Sequence, residues 1–348
     1  MINRLPPEPK LKLDSEIYSL LNSAEQSLSK FEGVFGHLGE KHQITNLLML
    51  NEAVQSCRIG GYQYTLEEFF INKCVDHPSG LSEIKNYLSA CNLGIRLLKD
   101  VASTDHILKS IYKELSNNQQ DDLYLYRTTK LSPVSGDFTE AESPSDQIPE
   151  LMRSLEKYIS SDVSYPLLIN VGLVHGYFET IKPFSVNNTP SGRILIDLHL
   201  FWKRKFKSFP LQISKIINDH KKKYYSSIGG IVQNGEWIDW LKLFLNIIIE
   251  SSLLSLSLAR NIGEVETTGM RKIIESDVVS SPVIKLYNYI FIQPVISIPQ
   301  ITSVLNLTKQ TANIAVSRML ELQILEEITG KQRYRIFSNK ALFNLLNN

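Results

Sequence analysis

The stretch "HGYFETIKPFSVNNTPSGRILIDL", residues 175–198, joins two helical patterns through a short polar loop. Thr189-Pro190 reads as a helix start, with Thr as the N-cap and Pro at the first helical position. A helix start presents free N–H groups and the positive end of the helix dipole, so such a loop is a candidate for holding a phosphate. Lys182, Asn188 and Arg193 are the candidate donors, and Arg193 lies one turn into the helix. On these residues alone a plain helix–loop–helix connection competes with that reading.

Working outward, the N-terminal third reads as helices. "SEIYSLLNSAEQSLSKF" and "HQITNLLMLNEAVQSCRI" carry apolar residues at helical spacing, and the second stops at Gly60-Gly61. Thr65 followed by Glu68 is a capping-box pattern. Residues 117–150 turn polar, with two short β-like pieces around Tyr124–Thr129 and Asp137–Thr139 that predict a hairpin in an exposed loop. Helices resume to about residue 261, followed by a weakly patterned connector over 262–281. Beyond it, "PVIKLYNYIFIQ", "SIPQITSVLN" and "LTKQTANIAVSRMLELQ" predict three helices, and "ILEEITGKQRYRIFS" predicts a hairpin turning at Thr329-Gly330. That order is a winged helix-turn-helix. The expected fold is mainly α: a helical region over 1–100, a helical core with a short hairpin over 101–261, the connector, and a winged helix over 282–348.

Composition sets few constraints. Hydrophobic residues make up 43% of the 348 and charged residues 21%, which fits a soluble globular chain of two or three domains. With 37 basic and 36 acidic residues, overall charge points to no partner. Cys57, Cys74 and Cys91 are odd in number and widely spaced, so neither a disulfide framework nor a zinc site is readable, and a reducing cytoplasm is expected. The opening "MINRLPPEPKLKLD" lacks the apolar core of a signal peptide. "WLKLFLNIIIESSLLSLSLA" contains Lys242 and Glu250 and reads as a buried or partner-facing helix, so no membrane partner is expected.

"VHGYFETIKPFSVNNTPSGR" resembles the core motif of the Fic (Fido) family, His-Pro-Phe-x-Asp/Glu-Gly-Asn-Gly/Lys-Arg-x-x-Arg, with its preceding "AHxxFETI". "LPPEPKL", "EIKNY", "YRTT" and "PLQISKIINDHKKKYYSSIGGIVQNGEWIDWLKLFL" resemble other parts of the family, so the likeness covers nearly the whole chain. It implies a helical core of the Fic type and, where such a protein is active, transfer of AMP from ATP to a protein hydroxyl. Position by position, the family's base His falls on Lys182, its metal carboxylate on Val186, its two Gly on Asn187 and Thr189, and its first Arg on Pro190. Pro183, Phe184, Asn188, Gly192 and Arg193 are retained.

Each loss has a chemical meaning. A general base must titrate near working pH, whereas an unperturbed lysine titrates near ~10.4, so unless it is strongly desolvated a lysine at 182 is expected to suit an anion better than a hydroxyl. Val186 offers Mg²⁺ no oxygen, and no metal site is expected. Pro190 removes both an N–H and a guanidinium. His175 precedes Lys182 by seven residues, ~10 Å on one helix, and reads as a hydrogen-bonded structural histidine. Many family members also carry an inhibitory helix ending Ser/Thr-x-x-x-Glu-Gly/Asn, whose Glu pairs with the second motif Arg. Here Ser56 and Gly61 match, and Gly60 stands at the Glu. The resemblance therefore implies a degenerate site that retains at most weak ATP or phosphate binding.

The C-terminal segment carries a second signal. Over 281–348 seven basic residues face three acidic ones, a net +4 in a chain of net +1, which leaves −3 for the rest. Thr308, Lys309, Gln310 and Asn313 begin the candidate recognition helix, with Ile314, Met319 and Leu322 expected to pack inward. Lys331, Arg333 and Arg335 lie in the candidate wing. Three functions follow: a binding or regulatory protein that contacts DNA, an adenylyltransferase or other phosphate-group transferase with altered residues, and a protein-interaction scaffold. A protein target and a homo-oligomer fit any of the three.

Overall fold

The apolar stretch that contains Lys242 and Glu250 lies within one continuous helix of 38 residues, Trp237–Ile274, and much of the fold packs around it. The computed structural model describes residues 5–38, 42–74, 81–100, 103–117, 126–131, 144–161, 165–204, 211–277 and 279–347. Among these, the chain up to Ile274 is helical: α1 (Ser15–Leu38), α2 (Gln43–Ile59), α3 (Leu66–Asn72), α4 (Ser82–Lys99), α5 (Thr104–Leu115), α6 (Ile148–Ser160), α7 (Leu167–Ile181), α8 (Asn188–Arg204), α9 (Ile213–Asp219), α10 (Lys221–Asn234) and α11 (Trp237–Ile274). The hairpin expected around Tyr124–Thr129 and Asp137–Thr139 lies mostly outside the described residues, and 126–131, which are described, form no strand.

The centre is the contact of α7 with α11. Every residue from Leu168 to Ile181 is buried. Two glycines one turn apart let the helices close: a Cβ on Gly176 would sit 2.5 Å from Trp240 Nε1, and one on Gly172 2.8 Å from Phe244. The bare backbone there accepts a hydrogen bond, Trp240 Nε1–H donating to the Gly172 carbonyl at 2.8 Å. Tyr224, Tyr225, Trp237 and Trp240 are all buried in this core. The α11 helix has the length and composition of a membrane span, with a mean hydropathy of 1.6 over its most apolar window, yet 56% of that window is buried inside the fold.

The segment 262–281, read as a weakly patterned connector, is helical as far as Ile274. Ile262, Gly269 and Ile273 are buried on it, spaced by whole helical turns, so one stripe is apolar although the sequence looks polar. This second half of α11 carries the C-terminal elements. Tyr287 Oη donates to the Glu266 carbonyl at 2.5 Å.

Those elements are α12 (Ser281–Tyr289), β1 (Val295–Ser297), α13 (Ile298–Leu305), α14 (Lys309–Glu321), β2 (Glu326–Glu327), β3 (Ile336–Ser338) and α15 (Lys340–Asn347). The sheet is antiparallel in the order β1-β3-β2, with Val295 and Glu326 both opposite Ser338. A Ser297/Gln300 capping box starts α13, and Asn306 at φ 53° turns the chain into α14, which Thr308 caps. Ala312, Ala315, Val316 and Met319 form the buried face of α14. Ile314, expected inside, is 54% exposed, and Leu322 is half-buried.

The C-terminal elements are joined to α3. Glu67 accepts from Ser338 Oγ and Lys340 Nζ, both at 2.7 Å. Gln300 Nε2 donates to the Lys73 carbonyl at 3.0 Å, and Phe70 meets Phe343 at 6.1 Å between ring centroids.

Helix α2 is held by a buried polar seam. Asn51 Nδ2 donates to Gln212 Oε1 at 2.8 Å, and Gln212 Nε2 returns a bond to the Leu48 carbonyl at 2.9 Å. Glu52 accepts from the Ser214 backbone N–H at 2.9 Å and from its hydroxyl at 2.5 Å. Burial pushes the Glu52 carboxyl up to about 7, against the opposing pull of the Ser214 bonds and the Arg193 charge. Burial also raises Asp197, and the Glu52 charge adds to it.

Two expectations follow. Gly176→Ala should destabilise the fold by roughly 1–3 kcal/mol through overpacking against Trp240, read as a lower urea midpoint; an unchanged midpoint would show that α7 and α11 separate freely. Between pH 4.5 and 7 the folded state holds a proton on Glu52 that the unfolded state has released, so stability should fall as pH rises through that window, by up to about 3 kcal/mol. Glu52→Gln should flatten this slope in melting curves, and equal slopes in both proteins would count against it.

Candidate functional site

The loop between α7 and α8 is built by side chains that bind backbone. Lys182 closes α7 in the left-handed region, at φ 46° and ψ 66°. Its carbonyl accepts from Arg127 Nε at 2.7 Å, while Arg127 Nη2 reaches the Ile181 carbonyl at 3.3 Å. Arg127 thus places a buried cation on the carbonyl end of α7, where the helix dipole favours it. Phe184 is buried and stacks on Tyr112, with centroids 4.3 Å apart and planes within 3°. Tyr112 Oη and Ser185 Oγ are hydrogen-bonded at 2.9 Å.

Helix α8 begins at Asn188, not at the Thr189-Pro190 pair. Asn187 takes a left-handed φ of 56°, and its carbonyl accepts from the Ser191 N–H and hydroxyl. Asn188 turns inward: Oδ1 accepts from the Phe184 N–H at 2.8 Å, and Nδ2 donates to the Phe184 carbonyl at 2.6 Å. Its amide is therefore committed to shaping the loop, and the phosphate-donor role expected for it is not the one these bonds serve. Pro190 sits inside the first helical turn, where no N–H is required.

His175 is buried and holds α7 to its neighbours. Its Nδ1 lies 3.1 Å from the Gly192 carbonyl, which only accepts, so Nδ1 carries the proton and Nε2 accepts from Tyr224 Oη at 2.7 Å. Burial, aided by the Arg193 charge, lowers its pKa to about 3. A neutral ring with both nitrogens engaged is a structural histidine, as its sequence position suggests.

Arg193 is the charged centre of the site. It is 1% exposed, and its Nη2 donates to Ser56 Oγ at 2.6 Å and to the Ser56 carbonyl at 3.3 Å. Nε and Nη1 are buried with no hydrogen-bond partner. The fold thus joins two candidates that lie 137 residues apart in sequence. One turn beyond Ser56, α2 ends at Ile59, Gly60 is its C-cap, and Gly61 takes φ 95°. Lys182 is 7% exposed, and Val186, at the position of the metal carboxylate, is 49% exposed. Among the described residues no group of three or more His, Cys, Asp or Glu is placed to hold a metal.

The other candidates form a separate set on the C-terminal elements. Lys309, Gln310, Asn313, Lys331 and Arg333 are exposed. Thr308 is committed as the cap of α14, accepting from the Thr311 N–H at 3.2 Å, and Asn313 Nδ2 donates to the Lys309 carbonyl at 2.7 Å. The 328–335 loop is shaped by Glu327, which accepts from the N–H of Thr329 at 2.9 Å and of Gly330 at 3.1 Å.

Glu52, Arg127 and Asp197 were not singled out from the sequence as site residues. Glu52 and Asp197 had one legible signal, a carboxylate inside an apolar run ("LLMLNEAV", "RILIDLHL"). Arg127 had none, because the carbonyls it caps lie more than 50 residues away.

Comparison with known proteins bears on the fold. Residues 18–96 match the family described as Fic/DOC family N-terminal. A Fic family protein from Desulfovibrio desulfuricans G20 superposes with a TM-score of 0.63 at 17% identity, over 96% of this chain and 98% of that one. A Fic domain-containing signaling protein from Bacteroides thetaiotaomicron VPI-5482 gives 0.48 at 14% identity, over 71% and 98%. Fic-1 from C. elegans gives 0.48 at 15% identity, over 73% and 72%. The chain thus has an N-terminal region that matches the Fic/DOC family N-terminal model in sequence, and over its whole length it shares the fold of a Fic family protein.

Proposed function

We propose that this chain is a DNA-contacting regulatory protein built on a Fic-type scaffold, with little or no adenylyltransferase chemistry. The observation that carries the reading is the exposed first turn of α14, where Lys309 and Gln310 stand open to solvent, together with the 328–335 loop, which exposes Lys331 and Arg333. The order helix, strand, two helices, strand, loop, strand supports a winged helix, whose second helix of the pair enters the major groove while the wing meets phosphates. On the Fic side, the position of the base holds a buried lysine, the position of the metal ligand holds a valine, and Arg193 is tied to Ser56.

Binding to duplex DNA should weaken steeply with salt, because each neutralised phosphate releases counterions. Replacing Lys331 and Arg333 together by Ala should lower affinity on all sequences and reduce the slope of log K against log salt by about 2. Gln310→Ala should change sequence preference and leave the slope nearly unchanged. Absence of duplex binding even at low salt would favour the scaffold reading.

One observation favours a phosphate-group reading as the alternative. Arg193 Nε–H and Nη1–H are buried without acceptors, and an anion would satisfy them. Loss of a general base alone costs about 10²–10⁴-fold in rate, so incubation with labelled ATP should give no transfer above background. Labelling of a protein that Lys182→Ala abolishes would overturn the proposal and make Lys182 the base.

A further inference from the structure

The outer face of α14 holds one apolar side chain where the rest are polar. Taking ~100° per residue, Gln310, Asn313, Ile314 and Ser317 fall within an arc of about 100° opposite the buried Ala312, Ala315 and Met319. Ile314 lies at one edge of that arc, ~40° round the helix from Gln310, and it is 54% exposed. Arg318, one turn further on, is paired with Glu321 at 2.8 Å. The face thus offers an open amide at Gln310, a branched hydrocarbon at Ile314, and cations at its beginning and in the neighbouring loop.

We propose that Ile314 reads the C5-methyl group of a thymine in the major groove of duplex DNA. This rests on the DNA-contacting reading above and names what that surface recognises. Of the groups on the major-groove edges, the thymine methyl is the apolar one, and an aliphatic side chain matches it. One isoleucine flanked on its helix by the exposed polar side chains of Gln310, Asn313 and Ser317 is far too little apolar surface for a stable protein interface, which needs on the order of 1,000 Å². It is the right size for a single methyl, and the net positive charge of residues 281–348 complements phosphate. Val304 and Tyr334, the other apolar groups exposed from α13 to the 328–335 loop, lie on separate elements. Gln310 stands one turn before Ile314, ~6 Å along the helix axis. An amide there pairs with adenine N6 and N7. A base-pair step is about 3.4 Å, so the geometry assigns an adenine and a thymine methyl about two steps apart.

The test uses the full chain. A site is selected from a random duplex library at low salt, and each dT in it is then replaced singly by dU, which removes the methyl and nothing else. Burial of one methyl-sized group corresponds to about fourfold in affinity. The expected result is one position at which dU weakens binding about fourfold for the natural protein and not for Ile314→Ala. Because Ile314 is exposed, Ile314→Ala should keep its melting temperature and its salt slope, so a lost preference is not lost folding. Duplex binding with no dU-sensitive position, or with the same sensitivity in Ile314→Ala, overturns the inference and leaves DNA contact standing. No binding to any duplex overturns both. If Ile314→Ala instead dissociates a dimer in sedimentation, the residue belongs to a contact between copies, and the inference fails.

Discussion

The close approach of α7 to α11 is the constraint on which the rest of the molecule depends. Gly172 and Gly176 remove the side chains that would hold the helices apart, and Trp240 fills the space and bonds the exposed backbone. With α7 fixed, His175 has one place to go, between Gly192 and Tyr224. That in turn sets where α8 crosses and where Arg193 enters the interior. The same long helix then runs on to carry the C-terminal elements, so the Fic-type loop and the exposed face of α14 stand on one continuous support.

The loop at 182–188 is held in shape by its own packing. Its form is maintained by groups that serve backbone: Arg127 on the end of α7, Asn188 around Phe184, Phe184 on Tyr112. None of these needs a catalytic base or a metal ligand to be present. The loop therefore accommodates a buried lysine at 182 and an exposed valine at 186. Arg193 is different, because a buried guanidinium must be answered. Ser56 answers part of it through its hydroxyl and carbonyl, and the guanidinium charge is felt by Glu52 and Asp197, where it opposes the rise that burial imposes on both carboxyls.

The C-terminal elements are fastened to the body as well as to each other. Glu67 on α3 takes bonds from both the last residue of β3 and the start of α15, and Gln300 on α13 reaches back to Lys73. Helix α3 follows directly on α2, whose last turns hold Ser56. The polar face of α14 is left outside these contacts because its inner face is already occupied by small residues, Ala312 and Ala315, that let it pack closely.

Much of this was legible in the sequence, and the division has a physical basis. Helices with strong periodicity and local caps were readable because a cap involves residues three or four apart. The Thr65/Glu68 box and the stop at Gly60-Gly61 stand where the residues place them. The alternation of helices, turn and short strands after 281 was readable for the same reason. Contacts between distant residues were not. Thr189-Pro190 has the local chemistry of a helix start, yet α8 begins at Asn188, because the Asn188 amide clasps Phe184 and the left-handed Asn187 turns the chain one residue earlier. The stretch after 261 looked like a connector until Ile262 and Ile273 found apolar neighbours. Ile314 was apolar at a helical position, and only packing could decide that Ala315 and Val316 face the core in its place. The bond between Arg193 and Ser56 spans 137 residues. The motif resemblance named both positions, but no local rule of periodicity or capping brings them together, and the tertiary structure alone supplies the contact.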